Sequence, residues 1–284
     1  MKNLILAIAV LVVFASCSSN DVDPTDFNIL SNLPADTGGI QKPFYLGSTT
    51  SPYGFYAYTP SSYTADGAEF PLIIFLHGSG ERGNSQTDQA KLDLVLRNGP
   101  PMMIKKEKWN PTYPALVVSP QCHDGGWNAD KLHEFIEFLV KTYQVNESRI
   151  YLTGLSMGGG GTFTYLTEKG SEAYVAAAVP ICGWANANKA EGMKHIPVWT
   201  FHGDKDTTVK PGSAMNMISK INELTPKVPA KLTIYPGVGH NSWSKTYDGT
   251  GMGTESAEYD AFSVSIYDWM FQYQREISVE VVAE

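Results

Sequence analysis

The feature that most constrains this chain is a series of short apolar runs separated by segments of helical period. Phe70 to His77, Ala115 to Ser119 and Arg149 to Thr153 are strand-length and nearly all apolar, as strands buried on both faces of a sheet are. Tyr53 to Thr59 is aromatic-rich and stops at Pro60, which cannot continue a central strand. Tyr174 to Ile181, Ile196 to Phe201 and Lys231 to Tyr235 extend the series. Between them, Leu132, Phe135, Ile136, Leu139 and Tyr143 fall on one helical face. Ser213 to Leu224 and Tyr259 to Arg275 read as further helices. Alternating buried strands and amphipathic helices predict an α/β fold, its mostly parallel sheet covered by helices on both faces.

The first residues do not share this pattern. Met1-Lys2-Asn3 precedes an unbroken apolar run from Leu4 to Ala15. As a helix that run would span only ~18 Å, against the ~30 Å of a bilayer core. It fits the apolar region of a secretory leader, 1–16. The leader ends in Phe14-Ala15-Ser16 before Cys17, and this junction resembles the lipobox of bacterial lipoproteins, where that cysteine is lipidated. Residues 17–40, polar and carrying Pro24, Pro34 and Gly38-Gly39, then read as the lipidated Cys17 and a flexible tether. One catalytic domain is expected over 41–284. The implied location is outside the inner membrane, anchored by lipid at the outer membrane or cell surface.

A net charge of −8, with 21 Lys and Arg in no long run, argues against nucleic acid as a partner. No His/Cys cluster has metal-ligand spacing, and no cofactor is expected. Oligomeric state is not legible in these residues.

In an open α/β sheet, chemistry gathers at the carboxyl ends of the strands. The residues just after each run are therefore informative. Gly154-Leu155-Ser156-Met157-Gly158 sits between a strand and a helix, a sharp turn that exposes Ser156 at a helix start. Glycines 158–161 would weaken a helix, so they imply a close helix–sheet contact. A serine needs a base to remove its proton. His240, on a loop after a strand, is the best candidate and His123 the runner-up. His77 reads as structural, and His133, His195 and His202 are weaker. The acid that orients the base is Asp206 or Asp204; spacing does not decide. The Met157 N–H, at the start of the helix, is suited to an oxyanion.

These motifs carry a resemblance over nearly all of 41–275. The order Ser156, Asp, His240 and the H-G-x-x-D-x-x-V pattern at His202 to Val209 resemble α/β-hydrolases of the esterase, dienelactone-hydrolase and acyl-thioesterase type. Leu76-His77-Gly78-Ser79-Gly80-Glu81-Arg82-Gly83 resembles the L-H-G-x-G-E-R-G of polyhydroxybutyrate-depolymerase-like and feruloyl-esterase-like proteins, often labelled predicted peptidases. The resemblance implies an α/β-hydrolase fold and selects Asp206 as the acid. It places the second oxyanion donor at Ser79, with Gly80 the alternative. It also sets the strands before Cys122 and Cys182 three steps apart, too far for a disulfide. The adjacent charges Glu81 and Arg82 are expected to form an ion pair that fixes the loop.

The implied activity is a serine carboxylic-ester hydrolase working through an acyl-serine. Its expected substrates are feruloyl or acetyl groups on polysaccharide, or related small esters. The alternatives are a prolyl-oligopeptidase-like peptidase, a general carboxylesterase or thioesterase, and a non-enzymatic glycan-binding lipoprotein. Trp127, Trp184 and Trp243 are pocket candidates, with Trp109 further off. Residues 245–258 read as a mobile loop that gates the cleft.

Overall fold

A computed structural model describes residues 28–277. The apolar leader 1–16, Cys17 and the chain to residue 27 lie outside the described residues, as do 278–284. In chain order the elements are α1 (Asn28–Ser31), β1 (Gly39–Phe44), β2 (Gly54–Pro60), β3 (Phe70–Leu76), α2 (Gly99–Lys105), β4 (Leu116–Gln121), α3 (Ala129–Thr142) and β5 (Val145–Leu155). They continue with α4 (Met157–Lys169), β6 (Ala177–Ile181), β7 (Trp199–Gly203), α5 (Gly212–Glu223), β8 (Lys231–Tyr235), α6 (Trp243–Tyr247) and α7 (Ile266–Met270).

The strands form one eight-stranded sheet in the order β1-β2-β4-β3-β5-β6-β7-β8. β1 and β2 are antiparallel to their neighbours, and every pairing from β4 through β8 is parallel. All seven residues of β3 are buried, as its apolar run requires. Leu72, Ile74 and Leu76 face one layer, with Phe135 of α3, Leu166 of α4 and Met217 of α5. Ile73 and Phe75 face the other, with Met103 of α2, Tyr247 of α6 and Trp269 of α7. Each such side chain contributes about 1.5–3 kcal/mol through burial. Helices on both faces thus turn the carboxyl ends of the central strands into one rim.

Three expectations need correction. The fold reaches back before residue 41: Leu30 is buried in the second core layer, Tyr58 donates its hydroxyl to Asp36 at 2.9 Å, and β1 starts at Gly39. The described part of the expected tether, 28–40, is therefore docked. The helix expected over 259–275 shrinks to α7. Upstream of it, Ser256 N–H donates to Ile234 O and Asp260 N–H to Leu232 O, so this stretch covers the open edge of β8 instead of coiling. Ser265 then caps the short helix, its hydroxyl accepting the Asp268 N–H at 3.0 Å.

The same edge explains 245–258. Gly251 N–H bonds Lys245 O, and Lys245 lies over the Tyr235 ring. The segment is tied along β8 rather than poised over Ser156. Cys122 and Cys182 are both buried and free, each just after one of two strands three steps apart, as the resemblance implies.

Candidate active site

Ser156 stands where β5 turns into α4. Its φ of +52° and ψ of −113° lie where a side chain is strained, at a cost of about 1–3 kcal/mol. The turn is held by Ser156 N–H donating to Ile181 O at 2.9 Å. The glycines around it are a steric requirement. A Cβ on Gly154 would lie 2.5 Å from Gly158 O, and one on Gly158 only 1.9 Å from Leu76 O. On Gly159 it would meet Ile181 O at 2.5 Å. The expected close helix–sheet contact is present, and glycine is what allows it.

His240 reaches this serine from the loop after β8. Its Nε2 lies 2.8 Å from Ser156 Oγ, and its Nδ1 lies 2.7 Å from Asp206 Oδ2. The carboxylate can only accept, so Nδ1 carries the proton and Nε2 is free to receive one from the serine hydroxyl. Asp206 is 4% exposed and accepts two backbone N–H groups on Oδ1, from Thr208 at 2.9 Å and Val209 at 3.0 Å. Burial works against its charge, yet the His240 and backbone hydrogen bonds hold its carboxyl below the usual range.

Asp204, the other candidate acid, points away. Its Oδ1 accepts the Gly237 N–H at 2.7 Å, and Lys205 N–H donates to Val238 O. It pins the loop that carries His240. Gly203 permits the same approach, since a Cβ there would fall 2.2 Å from Val238 O. His123, the alternative base, is engaged elsewhere, with its Nε2 3.0 Å from Lys131 Nζ.

The anion side is built on His77, which is fully buried. Cys122 N–H donates to its Nε2 at 3.0 Å, so Nδ1 carries the proton and donates to Gly78 O at 2.6 Å. Glu81 N–H bonds the same carbonyl at 3.3 Å. A trans peptide points its N–H opposite its C=O, so fixing Gly78 O aims the Ser79 N–H the other way. Gly78 packs against Leu155, the residue before Ser156. Burial pushes the His77 ring down to about 4.

The expected ion pair between Glu81 and Arg82 does not form. Arg82 braces the loop through carbonyls, Ser79 O at 3.2 Å and Gly125 O at 3.0 Å. Glu81 turns inward, where Asn98 Nδ2 donates to its carboxylate at 2.8 Å and burial pushes the carboxyl up. Asn98 in turn accepts the Trp243 indole N–H at 3.1 Å. Trp243 stands edge-on to the His240 ring, 5.4 Å between centroids. One polar chain thus links the anion loop to the side chain backing the base.

The remaining tryptophans divide. Trp127 is 8% exposed, its Cβ against Gly161 and its indole N–H donating to His77 O at 3.1 Å, which is a core position. Trp109 packs edge-on to Tyr267 in the far layer. Trp184 is 48% exposed and lies over Gly160, one helical turn from Ser156. Sequence reasoning also passed over His202, whose Nε2 lies 3.1 Å from Asp206 Oδ2. The signal lay in its spacing to Asp206.

A mostly parallel sheet, a serine on the strand–helix turn and a histidine between it and a buried acid define the chain as an α/β-hydrolase. It belongs to the dienelactone hydrolase family, whose profile matches residues 122–273. A crystal structure of a thermostable esterase is similar at 28% identity and a TM-score of 0.60, over 87% of this chain and 64% of that one. Feruloyl esterase B of Piromyces equi is 26% identical over 201 residues, 68% of this chain and 35% of that protein. A bifunctional acetylxylan esterase/xylanase of Neocallimastix patriciarum is 24% identical over 153 residues, 53% of this chain and 21% of that protein. The chain thus spans a fifth to a third of these two curated relatives.

Proposed function

We propose that the protein is a serine ester hydrolase that removes acetyl or feruloyl groups from polysaccharide or related small esters. The observation that carries this reading is His240 set 2.8 Å from Ser156 Oγ and 2.7 Å from the buried Asp206. In the reading, Ser156 Oγ attacks the ester carbonyl carbon as its proton passes to His240 Nε2. Asp206 keeps the imidazole in the required tautomer and steadies its positive form. The oxyanion is received by the N–H groups of Met157 and Ser79. Ser79 is preferred to Gly80 because its amide is aimed by the fixed Gly78 carbonyl. The C–O bond to the alcohol breaks as His240 returns the proton to the leaving oxygen. Water, activated by the same histidine, then cleaves the acyl-serine.

The acyl groups are proposed from the esterase relatives and from Trp184, an exposed indole one turn from the serine. Its half-exposed face suits stacking on an aryl or sugar ring. Trp243 is proposed as the wall behind the base. Trp127 is assigned to packing.

The test is a panel of p-nitrophenyl acetate, methyl ferulate and acetylated xylan, with fluorophosphonate labelling of Ser156. Turnover of at least one ester and labelling lost in Ser156→Ala support the reading. No turnover and no labelling end it. We further propose lipid anchoring through Cys17, supported by the leader and lipobox-like junction. Metabolic labelling with a fatty-acid analogue, absent in Cys17→Ala, tests it.

A further inference from the structure

The geometry points to His202 as a positioning residue that holds Asp206 and limits how much of its charge reaches His240. This inference rests on the proposed ester-hydrolase reading of the same site.

His202 lies on β7 with its side chain fully buried. Its Nε2 lies 3.1 Å from Asp206 Oδ2 and 2.8 Å from Val209 O. Both are acceptors, so Nε2 carries the proton and splits its donation between them. The other nitrogen, Nδ1, has no hydrogen-bond partner among the described residues. Burial lowers the ring's affinity for a second proton, which agrees with a neutral ring.

A buried imidazole with one bare nitrogen costs free energy that an apolar side chain would not. Both hydrogen bonds it does make go to the acid loop, one to each end of residues 206–209. Oδ2 of Asp206 is also the oxygen that accepts from His240 Nδ1. The acid therefore takes four donors: two backbone N–H groups on Oδ1 and two imidazoles on Oδ2. A second donor on the shared oxygen draws charge away from His240. It fixes the carboxylate's rotation and also tempers how strongly the imidazolium is held.

The other titratable and charged groups near the pair come from two elements. Cys182, after β6, is pushed up to about 12 by burial and stays neutral while the enzyme works. Asp204 and Lys205, on the outer side of the acid loop, pair with each other at 3.3 Å. His202 is thus the neutral donor within hydrogen-bond reach of Oδ2 besides His240.

The test compares His202→Leu, which removes the donor, with His202→Gln, whose amide N–H reaches the Nε2 position. The readouts are p-nitrophenyl acetate kinetics from pH 4.5 to 9 and thermal melts of the full chain. In His202→Leu, kcat is expected to fall about tenfold with KM within about twofold. The acid limb of its profile moves to higher pH, because the imidazolium faces an unshared carboxylate. His202→Gln restores the limb to the wild-type position and kcat to within about threefold. Unchanged limbs in a folded His202→Leu overturn the inference, as does an equal loss in both variants.

If His202→Leu does not fold, ¹⁵N-histidine spectra of the wild type decide. A proton on Nε2 of His202, shifted in Asp206→Asn, supports the inference, and a proton on Nδ1 overturns it. If the wild type turns over no ester, the functional reading fails, and the same spectra still report whether the bond to Asp206 exists.

Discussion

Around Ser156, backbone is packed against backbone: Gly158 on Leu76, Gly159 on Ile181, and the serine N–H on the Ile181 carbonyl. Around Asp206 and His240 the chain is held mainly by hydrogen bonds, from Thr208, Val209 and His202 to the acid and from Gly237 to Asp204. The first region is fixed by steric exclusion and has no room for a side chain. The second is fixed by polar groups whose strength depends on protonation. Damage to the first should appear as lost fold, and damage to the second as lost rate in an intact fold.

The largest expected effects break the comparison on its polar side. Ser156→Ala, His240→Ala and Asp206→Asn should each lower kcat by about 10⁴-fold or more. Their melting temperatures should stay within a few degrees of wild type, since none of these changes adds bulk. Steady-state kinetics beside thermal melts check this. A variant that loses its fold along with its rate would place the residue in the scaffold instead.

Gly158→Ala probes the steric side. The added carbon would sit 1.9 Å from Leu76 O and 2.8 Å from His77 O, both backbone atoms that cannot swing away. We expect a loss of about 3–5 kcal/mol in stability, at the severe end for a single substitution. Urea unfolding measures it. A loss below about 1 kcal/mol would show that α4 can lift off the sheet, and the contrast between the two regions would fail.

The two regions were also unequally legible in the sequence. The elbow announces itself because steric need writes a local code: Gly154 and Gly158 flank the serine, and an apolar strand precedes it. The order of Ser156, an Asp and His240 was legible because each follows a strand, whereas the choice of Asp206 over Asp204 rested on the resemblance. What was hidden depends on partners far away in the chain. Trp127 looks like a cleft residue until Gly161, on another element, is seen to seat it. Glu81 and Arg82 look paired, yet Asn98 and the carbonyls of Ser79 and Gly125 compete for them and win. The apolar spacing over 259–275 suggests a helix, but the open edge of β8 captures its first half. Residues 28–40 read as tether because one buried leucine and one Asp36–Tyr58 bond leave no periodic trace. His202 ranks as a weaker base because its spacing to Asp206, the one local signal, serves only to pick out the acid and does not say that the ring turns toward it.

The smallest prediction sharpens the contrast by testing a polar latch on the steric side. His77 is buried and neutral, its Nδ1–H on Gly78 O and its Nε2 accepting from Cys122 N–H. Folding lowers its proton affinity from an ordinary 6.5 to about 4. The unfolded chain therefore takes up the proton first as pH falls. The stability this neutral ring represents is fully present above about pH 6.5 and is lost progressively toward pH 4, amounting to about 3 kcal/mol. The half-buried rings of His123 and His133 and the buried ring of His202 shift in the same direction. His77→Gln offers Cys122 an acceptor and cannot titrate. It should be less stable at pH 7, and its loss between pH 7 and pH 4.5 should be smaller than that of wild type by about 2–3 kcal/mol. Urea midpoints at both pH values measure the difference. Parallel losses in the two proteins would mean that His77 is not held neutral, and its Nε2 would then not be the acceptor of the Cys122 N–H.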